Sequence, residues 1–140
     1  MREILFRGRL KAENGELKKG DWVYGDLVTL IDGKEKHLHI YGKGEVKAET
    51  IGQFTGLTDK NGKKIFEGDI HEYIVGGKSY LFVVKHGKYY DFEAADKRYG
   101  WYFQNTQTND CNSFYGDEKN YANIIGNIHD NPELLKGGAE

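Results

Sequence analysis

Two histidines at strand spacing are the first candidates for metal chemistry. His37 and His39 are two residues apart in a segment typical of a strand, so both rings would lie on one face. A catalytic zinc ion usually takes about three protein ligands, and no third ligand stands at a recognisable spacing from this pair. We interpret them as two histidines on the exposed face of a hairpin, and we expect no metal site and no cofactor.

A lysine-rich stretch, TGLTDKNGKKIFEGD at 55–69, is the next candidate, because clustered lysines can hold a phosphate. Its three lysines are matched by three acidic residues, so attraction to a polyanion is largely cancelled within a Debye length of about 10 Å. Asn61-Gly62 instead offers the positive φ values of a tight hairpin turn. Gly68-Asp69 is typical of a bend whose Asp side chain accepts a backbone hydrogen bond. We interpret the stretch as turns that direct the chain.

Other short motifs fail their own requirements. Gly77-Lys78-Ser79 resembles the end of a phosphate-binding loop, but Glu72 stands where that motif needs a glycine. Cys111 lies in a polar segment without a nearby histidine, so we interpret it as a free thiol. The remaining histidines are isolated in sequence, and a lone histidine is more often a surface or turn residue than a general base. No catalytic triad can be proposed, and we expect a protein that is not an enzyme.

The composition indicates a folded protein with an aromatic-rich core. Aromatic residues make up 14% of the 140 residues, so large rings must supply much of the buried apolar surface. The net charge of −2 lacks the basic excess typical of domains that bind nucleic acid through its phosphates, although it is compatible with a local patch. The single cysteine and the absence of any apolar run near the roughly 20 residues of a membrane span indicate a cytoplasmic protein.

Nineteen glycines are spread along the chain, and the runs between them are rich in β-branched and aromatic residues. This pattern predicts short strands joined by tight turns. A mainly β fold follows. The candidate strands are 3–10, 22–31, 36–42, 49–57, 63–66, 69–75, 79–86, 88–94 and 123–128. Turns at Gly76-Gly77 and His86-Gly87 predict a three-stranded meander over 69–94.

The last third of the chain is predicted less regularly. The segment 95–123 contains a polar run from Gln104 to Asn112, which predicts a long loop or an insertion with one short helix around 115–121. Beyond the last strand, Asn131 is placed to cap a one-turn helix that begins at Pro132.

The aromatic density from 89 to 121 is the strongest functional signal. In KYYDFE and YGWYF, adjacent rings must point to opposite faces of a strand, so one set is left without a core to join. The segment 95–123 could fold back and bury these rings, or they could form a contact surface, for which the candidates are Tyr90, Trp101, Tyr102 and Phe103. A further alternative is stacking of single-stranded bases, with Lys88, Lys97 and Arg98 beside the phosphates and with Asp91, Glu93, Asp96 and Asp110 opposing them.

Three stretches resemble one known family. ETIGQFTGLTDKNGKKIFEGDI at 49–70, the opening REILFRGR with GDWVYGDLV after it, and the closing IIGNIHDNPELL are similar to the YopX family of phages and prophages. The resemblance implies a small N-terminal β-rich lobe at 1–53 and an SH3-like barrel at 54–140, with the single-turn helix near the C-terminus. The family is of uncharacterised function, so it implies no activity and supplies no catalytic residues.

These observations favour a non-catalytic binding or assembly module of a phage or prophage, acting in the bacterial cytoplasm through an aromatic surface. Its partner would be another copy of the chain or another protein. One alternative is a small-barrel module that binds single-stranded nucleic acid. Another is a small enzyme whose site forms from residues distant in sequence.

Overall fold

The computed structural model describes residues 3–114 and 122–136 and confirms the prediction of a mainly β protein, with 59% strand and 6% helix. The helical residues belong to 3-10 helices at Ala48–Thr50 and Pro132–Lys136, of which the second is the predicted single turn near the C-terminus. The strands are β1 Phe6–Arg9, β2 Trp22–Gly25, β3 Leu27–Asp32, β4 Glu35–Ile40, β5 Gly44–Glu45, β6 Gly52–Thr58, β7 Lys64–Phe66, β8 Asp69–Val75, β9 Lys78–Asp91, β10 Asp96–Asn105, β11 Cys111–Ser113 and β12 Ile124–Asn127.

Contacts divide the chain into two compact units, Met1–Phe54 and Thr55–Glu140. In the first unit, β1 pairs with β2 and with the start of β6, and β3, β4 and β5 form a second antiparallel sheet. Apolar residues from these strands form its core, which is built from Leu10, Val23, Ile40 and Val46.

The second unit is organised by a five-stranded sheet in the order β10-β11-β9-β8-β12, in which β9 also pairs directly with β10. Its core lies against β7, β9, β10 and β12 and is built from Ile65, Val84, Phe103, Ala122 and Ile124. The sheets are open in the strand pairings described, so the SH3-like barrel implied by the resemblance is not confirmed.

The lysine-rich stretch forms a turn between β6 and β7 that is organised by Asp59. This carboxylate is buried, and its Oδ1 accepts hydrogen bonds from the backbone N–H groups of Asn61 and Lys63, both at 2.9 Å. Its Oδ2 accepts a third from the N–H of Ile124 at 3.1 Å, which ties β12 to the turn. Of the predicted pair with positive φ values, Gly62 has one, at 83°, and Asn61 does not. The stretch therefore forms a turn, as expected, and the residue that organises this turn is Asp59.

Gly68-Asp69 forms the predicted bend before β8. Gly68 has a φ of 91°, and Oδ2 of the buried Asp69 accepts a hydrogen bond from the N–H of Phe66 at 2.7 Å. The predicted cap at Asn131 differs in one respect. Its backbone carbonyl accepts from Leu134 in the 3-10 helix, but its side chain turns back and accepts from the N–H of Asn127 at 3.2 Å.

The predicted turn at His86-Gly87 is wrong, and so is the predicted loop that begins at residue 95. Strand β9 continues through Gly87 to Asp91, and the chain turns at residues 92–95 into the ten-residue strand β10. The polar run forms a loop that is closed by a hydrogen bond from the Asn105 N–H to the Asp110 carbonyl at 2.8 Å. The loop leads into β11. The helix expected around 115–121 lies outside the described residues.

Candidate binding surface

The hairpin of β9 and β10 curls back on itself. Cys111 of β11 lies opposite Gln104 of β10 and also opposite Asp91 of β9. Along β10, however, the residue opposite Asp91 is Asp96, eight positions from Gln104, which is about 26 Å of extended strand. One residue can pair with both places only if the hairpin bends strongly between them.

The bend is centred on a cross-strand pair of glycines. Gly87 lies opposite Gly100, which is midway between Asp96 and Gln104. Their φ values are 142° and 144°, a region that residues with a side chain rarely adopt. We attribute the bend to this pair, which explains why a glycine that resembles a turn signal lies inside a long strand.

Two tyrosines stack across the glycine pair. The rings of Tyr89 and Tyr102 lie 4.4 Å apart between centroids, at an interplanar angle of 19°. The two residues flank the glycines on opposite strands, since Tyr89 lies opposite Arg98 and Tyr102 opposite Lys85. Aromatic rings that cover cross-strand glycines stabilise such a sheet. Tyr102 is half-buried in this stack, so it serves the curl more than a contact surface.

A short chain of hydrogen bonds closes the curl beside this stack. Ser113 Oγ donates to Oδ2 of Asp91 at 2.5 Å, and the hydroxyl of Tyr89 lies 2.5 Å from the same Oγ. Because the single serine hydroxyl proton is directed to the carboxylate, Tyr89 is the donor in its bond to Ser113. Asp91, only 2% exposed, also accepts from the backbone N–H groups of Glu93 and Ala94.

The electrostatics of this network keep its groups in their ordinary charge states. Burial alone would raise the pKa of Asp91, but the hydrogen bonds from Ser113, Ala94 and Glu93 outweigh burial and lower it. Burial raises the pKa of Tyr102, as do the negative charges of nearby groups, and burial also raises the pKa of the Cys111 thiol. Cys111 is therefore a poor nucleophile near neutral pH, in agreement with its interpretation as a free thiol.

The opposite face of the hairpin holds the other predicted contact residues at very different depths. Phe103 is only 4% exposed and stacks on Phe114 at 4.3 Å between centroids, so it belongs to the core and not to a contact surface. Trp101 is half-buried and meets His86 edge-on at 4.6 Å. Tyr90 is 54% exposed near the end of β9. The four candidates therefore do not form one surface.

An open cleft lies at the distal half of the hairpin. It has a volume of about 640 Å³ and is lined by residues 88–90 and 97–99, which we call the hairpin cleft. The register places Tyr90 opposite Lys97 and Tyr99 opposite Lys88, so ring and ammonium alternate on one face. Tyr99 is 71% exposed. Sequence reasoning missed Tyr99, because its alignment with Lys88 and Tyr90 depends on a pairing that the predicted loop excluded.

The comparison with known proteins decides the family. The family model described as YopX protein matches residues 13–136, which include the hairpin cleft and all the strands from β2 to β12. This chain belongs to the YopX family. The family resemblance inferred from three sequence stretches is thereby confirmed. No curated protein matches the chain.

A second cavity of this YopX family protein lies over His71. It has a volume of about 360 Å³ and is lined by His71, Tyr73, Phe82, Glu93, Phe103, Asn112 and Ser113. Contrary to the expectation of a surface or turn histidine, His71 is buried, and its ring lies 5.0 Å from that of Phe103. Its Nδ1 accepts a hydrogen bond from the Asn123 N–H at 2.9 Å, and burial lowers its pKa. His71 is therefore neutral near pH 7 and acts as a packed aromatic ring.

Both histidines of the β4 pair lie beside Glu45 of β5. His37 Nδ1 lies 3.0 Å from Oε2 of Glu45, which Lys11 also contacts at 3.3 Å, while His39 lies opposite Glu45 in the strand register. The hydrogen bond to His37 is the main reason why the pKa of Glu45 is lowered. Within residues 3–114 and 122–136, no three histidine, cysteine or carboxylate side chains are grouped to hold a metal ion.

No helix in the described part of the chain has the length and apolar character needed to cross a membrane.

Proposed function

We propose that this YopX family protein is a non-catalytic binding module that contacts its partner through the hairpin cleft. The observation that carries the proposal is the pair of exposed tyrosines, Tyr90 and Tyr99, held beside two lysines on one face of a rigidly curled hairpin. Tyrosine is a frequent anchor at interfaces, because it offers a large amphipathic surface with few rotatable bonds.

The curl supports this proposal because it fixes the surface before any partner arrives. The strands that carry Tyr90 and Tyr99 are held by the stacked pair of Tyr89 and Tyr102 and by the buried Asp91 network. A surface that is already ordered loses less conformational entropy on binding than a flexible loop does. The long hairpin is therefore suited to presenting side chains.

The lining of the cleft supports a non-catalytic role. The described residues that line it are lysine, arginine and tyrosine, so none of these offers a carboxylate or imidazole that could serve as a general base near neutral pH. Of the two carboxylates adjacent in sequence to the lining, Asp91 is buried and accepts hydrogen bonds from its neighbours, and Asp96 accepts one from the Lys97 N–H at 2.8 Å. The alternative of a small enzyme would need a site elsewhere in the molecule.

Site-specific photocrosslinking tests the proposal. A photoreactive phenylalanine analogue is placed at position 99 and, as a matched control, at position 31, because Tyr99 and Ile31 are 71% and 70% exposed. After irradiation of cells that produce the protein, we expect adducts from position 99 and few from position 31. Equal labelling at both positions, or no adduct at position 99, would refute the proposal.

A further inference from the structure

We propose that the hairpin cleft binds single-stranded nucleic acid, with bases against the rings of Tyr90 and Tyr99 and phosphates beside Lys88, Lys97 and Arg98. This inference rests on the proposed function and names the chemistry of its partner. The ligand class follows from the alternation of rings and cations, since a single strand alternates flat apolar bases with anionic phosphates along its length.

The spacing of the two rings suits a base. Tyr90 and Tyr99 are diagonal neighbours across β9 and β10, which places such residues about 7–8 Å apart. In the bound state the two rings would stand at about this separation. Stacked bases are separated by about 3.4 Å, so two stacking distances fill the space between the rings. One base can therefore be held between the tyrosines, and a second can cover the outer face of either ring.

The nearby acids limit the electrostatic contribution without cancelling it. Asp91 is buried on the other side of the curl, where its carboxylate accepts hydrogen bonds from Ser113 Oγ and from the N–H groups of Glu93 and Ala94. Glu93 and Asp96 are exposed near the hairpin turn, and Glu93 accepts a hydrogen bond from Asn112. Among the described residues, the lining thus contributes three cations, and two exposed acids lie near the hairpin turn. Binding should depend mainly on stacking and only moderately on salt.

The same chemistry disfavours two other ligands. A duplex hides the faces of its bases within the stack, so the exposed rings of Tyr90 and Tyr99 would have nothing to cover. A second copy of the chain would bring the cations of one cleft against those of another. The described lining residues also include no Asn, Gln, Asp or Glu, the side chains that read adenine and cytosine edges, so the cleft should not select for these two bases.

Fluorescence anisotropy with a labelled oligothymidylate of about 10 nucleotides tests the inference, since site sizes of small β modules are about 4–16 nucleotides. We expect binding to the single strand and much weaker binding to the matching duplex. The slope of log K against log salt should be about −2, because three cations neutralise at most about three phosphates at roughly 0.7 each. The variant Lys97→Gln should reduce that slope by about 0.7.

Leucine substitutions separate stacking from general apolar contact. Tyr90→Leu and Tyr99→Leu should each weaken oligothymidylate binding by about fivefold or more. Tyr41→Leu is the matched control, because Tyr41 is 74% exposed and lies outside the cleft, and it should leave affinity unchanged. Circular dichroism checks that each variant is folded, and Tyr90 and Tyr99 provide independent tests.

The outcomes separate this inference from the proposed function. If position 99 crosslinks to a protein and the oligothymidylate does not bind at low salt, the inference is wrong and the binding module stands. If position 99 gives no adduct and the oligothymidylate does not bind, both are wrong. Equal affinity for single strand and duplex, or an equal loss in Tyr41→Leu, would also overturn the inference.

Discussion

At the scale of single residues, the hydrogen bond between Ser113 and Asp91 is the contact that holds the curl most directly. The carboxylate is buried, and the serine that donates to it also accepts from Tyr89. Loss of the Ser113 hydroxyl would therefore leave the buried Asp91 carboxylate and the Tyr89 hydroxyl with one hydrogen-bond partner fewer each. Such a loss typically lowers the free energy of unfolding by more than the loss of a surface hydrogen bond does. The network is a structural feature whose energy can be measured.

We expect Ser113→Ala to lower the free energy of unfolding by about 1–3 kcal/mol. Urea denaturation near neutral pH measures the change. Ser79→Ala is a suitable control, because Ser79 is exposed and donates to Glu72 at 2.7 Å, and it should cost less than about 0.5 kcal/mol. An equal effect of both substitutions would contradict the role assigned to Ser113.

The pH dependence of stability follows from the lowered pKa of Asp91. Its stabilising contribution is complete above the unfolded-state pKa of about 3.9 and is lost as the pH falls through the lower folded-state pKa. Ser113→Ala removes one cause of the lowering, so the variant should lose less stability than the wild type over that acid range. Urea midpoints measured from neutral pH downwards should therefore converge, and parallel curves would argue against this assignment.

At the scale of elements, the glycine pair decides whether β9 and β10 form a straight or a curled hairpin. Asparagine distinguishes the two kinds of positive φ, because it tolerates the left-handed region near +57° and not a φ near 140°. Gly87→Asn and Gly100→Asn should each lower the free energy of unfolding by about 1–3 kcal/mol. The same substitution at Gly76, which has a φ of 59°, should cost less than about 1 kcal/mol in urea denaturation.

The turn at 59–63 offers a second test at this scale, because Asp59 joins the turn to β12. Asp59→Ala removes the acceptor of three backbone N–H groups, from Asn61, Lys63 and Ile124. We expect a loss of about 2–4 kcal/mol by urea denaturation, since a charged acceptor is worth more than a neutral one. Asp110→Ala is the control, because Asp110 lies in a similar loop but contacts Asn105 and Thr108 through its backbone, which the substitution retains. It should therefore perturb the structure less. A similar loss in both variants would show that Asp59 has no special role.

Elements defined by local chemistry were predictable from the sequence, and elements defined by distant partners were not. The bends at Gly62 and Gly68-Asp69 depend on residues within about four positions, so the local sequence located them. Gly87 has the same local signature, yet its role depends on Gly100, thirteen positions away. The same limit applies to the site: exposure separates Tyr90 from Phe103, and only strand register joins Tyr90 to Tyr99.

At the scale of the whole molecule, the curled hairpin changes how we interpret the high density of aromatic residues from 89 to 121, which we call the aromatic surplus. Much of the aromatic-rich segment packs within the second unit, where Phe103 and Phe114 stack and Tyr89 covers Tyr102. Among the described residues of that segment, Tyr90, Phe92 and Tyr99 are exposed at the distal end of the hairpin, and Tyr90 and Tyr99 share a cleft with cations. The surplus therefore does not require a second copy of the chain to cover it.

We predict that the protein is a monomer in solution, with a molar mass by light scattering close to the 16.0 kDa of the chain. A two-fold contact through the hairpin cleft would place Lys88 and Lys97 of one copy near the same residues of the other, and like charges facing each other oppose association. Adding an excess of oligothymidylate should raise the mass by one or more oligonucleotides per chain without doubling the protein.

A dimer that Tyr99→Leu converts to a monomer would show instead that the cleft binds another copy. A dimer that persists in Tyr99→Leu but is lost in Ile31→Lys would place self-association on β3, where Ile31 is exposed, and would leave the cleft open to another ligand.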